Sequence, residues 1–186
     1  MNNDIADEVW HAMFDALETR IGPSPILRLR TGAPPASPSA PRSGNVLSEM
    51  ALPADWLDDA ANQEKGLAGT GEDPAAAGGA LPSSHYELLD STGTTCFIQG
   101  LTFAPWQSGK LVGAGHQVGA NGNIYRATVG GTTGSTAPSH ASGTEEDGEV
   151  TWERVTTTLP MQLENVIINA GQRMTVSGFD IRSPAS

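Results

Sequence analysis

The spacing of hydrophobic positions changes several times along the chain. In residues 4–19, Ile5, Val9, Met13 and Leu17 recur every fourth residue, and Trp10 and Phe14 widen the stripe. This spacing predicts an amphipathic helix. Asn3 or Asp4 is placed to cap the free N–H groups, and Asp4, Asp7 and Glu8 sit where the helix dipole favours negative charge. Ile21-Gly22-Pro23 stops the helix. The first expectation is that the stripe packs on its own subunit. The sharper alternative places Trp10 and Phe14 at an assembly interface, because Trp10 is large and close to a terminus.

Beyond the stop the period falls to two. Residues 26–31 (Ile-Leu-Arg-Leu-Arg-Thr) and 45–52 alternate as half-buried strands, and Pro53 ends the second. Residues 32–44, rich in Pro, Ala and Ser, can only be a loop. Residues 55–81 hold Ala, Gly and acidic residues without a sustained period, which predicts a long surface loop with one irregular strand. Residues 86–89 and 96–99 flank Asp90-Ser91-Thr92-Gly93-Thr94, a hairpin signal. Residues 161–168 and 173–181 alternate around Asn169-Ala170-Gly171-Gln172, which predicts a second hairpin.

Composition narrows the function. Ten Lys and Arg against 21 Asp and Glu give a net charge of −11, and no basic run offers itself to a nucleic acid backbone. No apolar run approaches the roughly 20 residues that span a bilayer, so no membrane insertion is expected, and residues 1–4 lack the basic start of a secretion signal. The single cysteine, Cys96, excludes an internal disulfide framework and a cysteine-based zinc site. Gly 22 and Pro 13 with 5% aromatics favour short strands joined by many turns.

Between the two predicted hairpins the texture changes. Residues 103–156 hold two of the four Trp and one of the two Tyr among many Gly, Thr and Ser. Removing them leads Ile98-Gln99-Gly100 almost directly into Met161-Gln162-Leu163, as in a continuous sandwich. The fold class expected is therefore mainly β: an antiparallel β-sandwich with an N-terminal α-helix and a small inserted all-β module. Residues 1–102 plus 157–186 form the base and 103–156 the insert. Long insertions are tolerated at loop tips because loop-closure entropy grows slowly with length.

Within the insert, Ala104-Pro105-Trp106 opens the pattern, followed by Gly115-His116-Gln117-Val118 and Asn121-Gly122-Asn123-Ile124-Tyr125. Asp147-Gly148-Glu149-Val150-Thr151-Trp152 closes it. This resembles the small chitin-binding-type, carbohydrate-binding-like β module that tailed bacteriophages place in fibre, tail and head-surface proteins. Sugar-binding members carry adjacent exposed aromatics near the closing strand, where this chain has Thr151 and Glu153 on either side of Trp152. The flanks, with Tyr86-Glu87-Leu88-Leu89-Asp90 and Ile168-Asn169-Ala170-Gly171-Gln172, resemble small β-sandwich virion structural proteins. The resemblance implies a structural role on the particle, with other virion proteins of capsid, neck or tail as partners.

Three rings are candidates for stacking on a glycan: Trp106, Tyr125 and Trp152. A module of roughly 50 residues also needs its aromatics as core. Tyr125 and Trp152 are the better core members and Trp106 the better exposed ring. His116 and His140, with Glu145, Glu146 and Asp147 near them in sequence, lack the spacing of a zinc site. The acidic run 145–149 lacks the alternating D-x-D-x-D-G pattern of a calcium loop. No G-x-S-x-G motif and no P-loop Lys occurs, so no catalytic residue, metal or cofactor is assigned and no enzyme is expected. The function expected is a bacteriophage virion structural protein of fibre or decoration type. Its base anchors it, its module projects toward host glycans, and a homotrimer is the favoured assembly. The alternatives are a free carbohydrate-binding accessory module and an assembly factor absent from mature virions.

Overall fold

The structure, a computed structural model, describes residues 5–121, 123–155, 161–163 and 166–182. Asn3 and Asp4, named above as helix caps, and the far boundary of the insert at 156–160 lie outside the described residues. The chain is mainly β, with antiparallel pairing dominant and an N-terminal helix. In order, the first elements are α1 (Asp7–Ile21), β1 (Ile26–Arg30), β2 (Val46–Ala51), β3 (Glu64–Gly66), β4 (Gly71–Asp73) and β5 (Leu81–Pro82). Next come β6 (His85–Leu89), β7 (Cys96–Pro105), β8 (Leu111–Val112), β9 (Gln117–Ala120), β10 (Asn123–Val129) and β11 (Gly131–Thr132). The last are β12 (Thr144–Asp147), β13 (Val150–Val155), β14 (Met161–Gln162), β15 (Ile167–Ile168), β16 (Met174–Val176) and β17 (Asp180–Arg182).

One sheet runs through the molecule in the order β12-β13-β10-β9-β7-β6-β1-β2-β4-β16, with β14 also paired to β7. Alternation on β1 shows why it lies inside: Leu27 and Leu29 are wholly buried on one face, while Arg28 projects from the other. Leu27 pairs across to Met50 on β2 and Leu88 on β6, and the three join the base core with Leu29, Leu47 and Trp56.

The helix adds Phe14 and Ile21 to that core, with Trp10 and Leu17 packed against it and the Trp10 and Phe14 rings stacked 6.0 Å apart. The fourfold stripe of the sequence splits. Ile5, Val9 and Met13 are 38, 46 and 51% exposed, whereas Leu17 is half-buried. A four-residue repeat advances about 40° per step on a 3.6-residue helix, so the row rotates from solvent toward the core as it climbs. The N-cap is Ala6, which offers no side-chain acceptor, and not Asn3 or Asp4 as expected. The helix is tied down by buried Lys65 of β3, whose Nζ donates to Asp15 Oδ1 at 2.8 Å and Glu18 Oε2 at 2.5 Å. Burial pulls the Lys65 pKa down, and the two carboxylates more than offset it, leaving it raised.

Two expectations fail together. Residues 55–81 are not a mere surface loop: they supply β3, β4 and the start of β5, and they place Trp56, Leu57 and Leu67 in the core. Among the described residues, 161–168 and 173–181 do not pair with each other as a hairpin. Here β14 runs parallel to β7, and β15, β16 and β17 pair with β5, β4 and β3. Strands of two or three residues are too short to display a period, so the segment that holds the partners looks structureless and its mates look like a local pair.

The polar face of the base sheet is a ladder across four strands, Glu49–Arg28–Glu87–Gln99. Arg28 Nε donates to Glu49 Oε1 at 2.6 Å. Glu87 is wholly buried, with its carboxylate 3.6 Å from Arg30 and from Arg42 and 3.9 Å from Arg28. The Pro-rich segment closes over it: Arg30 Nε donates to Ser43 O at 2.8 Å and Gln99 Nε2 to Pro35 O at 2.7 Å.

A second apolar core, separate from the first, contains Val112, Val118, Tyr125, Ala127, Val150 and Trp152. The two bodies share β7. Its first half pairs antiparallel with β6, and its end runs parallel to β9, with Ala104 opposite Val118 and Pro105 opposite Gly119. The Phe103 ring lies against Gly119, where an added Cβ would stand 2.5 Å from Phe103 Cε2. That position accepts only glycine without movement of the ring.

Candidate functional site

The aromatic group of the second body is built by alternation on β10 and β13. Tyr125 and Ala127 point inward with Val150 and Trp152, and Arg126 and Glu153 share the outer face. Tyr125 and Trp152 are 0% exposed. Their rings therefore fill the core, and neither presents a face to a ligand. Trp106 is half-buried against the same cluster.

Asp147, at the end of β12, joins two of these rings. Its Oδ2 accepts from Trp106 Nε1 at 2.9 Å and from Trp152 Nε1 at 3.3 Å, and the residue is 6% exposed. The acidic run is thus structural at its centre. Glu145 is likewise engaged: its Oε2 accepts the Ser139 and His140 N–H groups at 2.9 and 3.1 Å and meets His140 Nδ1 at 2.9 Å. The Ser139 N–H, then the His140 ring and backbone, hold its carboxyl below the usual carboxylate range. The His140 ring lies 5.0 Å from that of Tyr125, and Tyr125 Oη donates to His140 O at 3.1 Å. Among the described residues, His, Cys, Asp and Glu form no group of three able to hold a metal ion.

A cleft of about 800 Å³ separates the two bodies. One wall comes from the base through Pro82, Ser83 and Leu101, and the other from the module through residues 110–117 with Arg126 and Val155. None of the three candidate rings lines it; Trp106 borders a smaller hollow of about 230 Å³ with Lys110 and Thr133.

The chain matches no protein-family model, no curated protein and no solved structure.

The structure brings Trp106 and Trp152 together on Asp147 and sets Tyr125 on His140. Of the two helix residues considered for assembly, Phe14 is 6% exposed in the base core and Trp10 half-buried beside it. The exposed large apolar residues of α1 are Val9 and Met13, with Ile5 just before the helix. The cleft was not anticipated. Its signal lay in the alternation around Tyr125, which sets Arg126 opposite Gln117 on the face away from the core.

Proposed function

We propose that the chain is a structural protein of a tailed-bacteriophage particle, of fibre or decoration type, anchored by its β base and projecting its smaller module toward host-surface glycans. One observation carries the reading. Two separate apolar cores share one ten-residue strand, β7, among the described residues. Such a body holds one end fixed while presenting the other. The exposed apolar residues Val9 and Met13 on α1, with Ile5 just before it, support attachment of the base to a neighbouring virion protein or a second copy. The buried polar groups Asp147, Glu87 and Lys65 all tie elements together, which supports a structural use of the fold. A glycan contact by stacking falls to Trp106 alone, because the other two rings are enclosed. A homotrimer remains the favoured assembly.

Mass spectrometry of gradient-purified particles, with localisation of the chain in a particle density map, tests this. The expected result is a stoichiometric chain on the particle surface. Presence in infected cells but not in particles would instead identify an assembly factor. Recovery as a free protein bound to glycan would identify an accessory module.

A further inference from the structure

We propose that the cleft between base and module is a binding site for a carboxylate-bearing saccharide. Its volume, about 800 Å³, lies within the range of ligand sites, roughly 300–1,000 Å³. The charge of its wall is opposite to that of the protein. Lys110 and Arg126 line it beside His116, and among the described residues no Asp or Glu does, in a chain with 21 acidic and 10 basic residues. Lys110 makes no ion pair among the described residues, so its ammonium is uncommitted. Arg126 places one nitrogen 2.8 Å from Glu153 Oε2 and has further N–H donors in its fork.

A second group selects the rest of the ligand. Gln117 lies opposite Arg126 on the adjacent strand, is 9% exposed and lines the cleft, and its Oε1 has no hydrogen-bond partner. A buried acceptor left unmatched is costly, and a donor delivered by a ligand relieves that cost. Cations answer a carboxylate, and a carboxamide oxygen answers a hydroxyl. A hydroxylated acid satisfies both. Burial, and then the nearby charge of Lys110, hold the His116 pKa below its ordinary value. The neutral imidazole offers one donor and one acceptor to sugar hydroxyls. Aliphatic surface from Leu111 and Val112 completes the wall, and none of Trp106, Tyr125 and Trp152 lines it. The site is therefore distinct from an aromatic stacking platform.

This inference rests on the proposed function only in treating the ligand as a surface glycan, and its test needs no particle. Full-length protein is titrated calorimetrically with glucuronate, a tetragalacturonate, a neutral tetrasaccharide of galactose and a hexaglutamate peptide. The expected result is binding of the uronate at least tenfold tighter than either the neutral sugar or the peptide. Binding of glucuronate alone would mark a free monosaccharide as the source, and preference for the tetramer a polysaccharide. Lys110→Ala and Arg126→Gln alter exposed side chains and should each weaken uronate binding at least tenfold with unchanged melting; Gln117→Leu should weaken it while sparing a simple anion such as acetate. Equal binding of the neutral sugar, tighter binding of the peptide, or no uronate binding at millimolar concentration would overturn the proposal. Those outcomes leave the particle assignment untouched, and absence from particles would leave the cleft chemistry untouched.

Discussion

Replacing Asp147 by Ala removes the shared acceptor of two indole N–H groups. Hydrogen bonds to a charged group contribute about 1.5–3 kcal/mol, and a buried donor left unpaired costs about 1–3 kcal/mol. Trp152 is 0% exposed, so its N–H cannot turn to water, whereas that of half-buried Trp106 can. The longer Trp152 contact, 3.3 Å against 2.9 Å, moderates the loss. The expected destabilisation is about 3–4 kcal/mol. For a chain of this size that lowers Tm by about 6–16 °C. Asp147→Asn keeps one carbonyl acceptor and should lose about half as much. Tryptophan-emission melts report the change directly, because two of the four tryptophans sit on this carboxylate and the other two, Trp10 and Trp56, lie with the base core. Should Asp147→Ala melt and emit like the parent, the carboxylate is not what holds the module's rings.

Glu87→Gln should destabilise by about 3 kcal/mol, because it strips the charge from a buried carboxylate facing three guanidinium groups. It should also speed proteolysis of residues 32–44; an unchanged melt and digestion pattern would contradict this. Gly119→Ala drives a methyl into the Phe103 ring and should cost about 1–3 kcal/mol, with Phe103→Leu in the same chain restoring part of it. Failure of that rescue would show that the ring is not the obstacle. Asp90 closes the β6–β7 turn: the Thr92 hydroxyl, then the Thr94 N–H, hold its pKa down at about 2 against an ordinary 3.8. A depressed carboxylate stabilises above its unfolded pKa and loses that contribution as pH falls through the folded one. Asp90→Asn should therefore flatten the stability profile between about pH 4 and pH 2, as read by denaturant melts across that window. Finally, each copy carries −11, so added salt should raise the light-scattering mass toward a trimer, and a monomer mass at every salt concentration would argue against self-association.

The long, periodic elements were legible from residues alone. Leu27 and Leu29 on β1, and the β6–β7 hairpin around Asp90, follow from alternation and turn chemistry. The helix was legible as an element, but its faces were not. Whether Val9 or Trp10 looks inward depends on where the sheet stands, and no helical spacing encodes that. The C-terminal strands were misassigned because β16 and β17 find their partners in β4 and β3, distant in sequence and only three residues long. In the module, Tyr125 and Trp152, read both as core members and as stacking rings, are enclosed in the core. Alternation around Tyr125 sets Arg126 beside Gln117 away from the core, but the cleft itself is not encoded locally, because its walls come from β5, β7 and residues 110–117, and only the packing of two bodies brings them together.

The shared strand has a mechanical consequence. Among the described residues, a load applied to the module reaches the base along β7, whose antiparallel bonds to β6 run from His85–Leu101 to Leu89–Cys96. Pulled along its own axis, such a strand stretches its rungs in concert, whereas a load applied at right angles parts them one after another. Drag on the module aligned with β7 is thus resisted by the whole β6–β7 ladder at once. The two-residue parallel contact with β9 and the Trp106 N–H to Gly119 O bond at 3.0 Å form a much shorter splice. That splice therefore sets far fewer rungs against such a load than the β6–β7 ladder does.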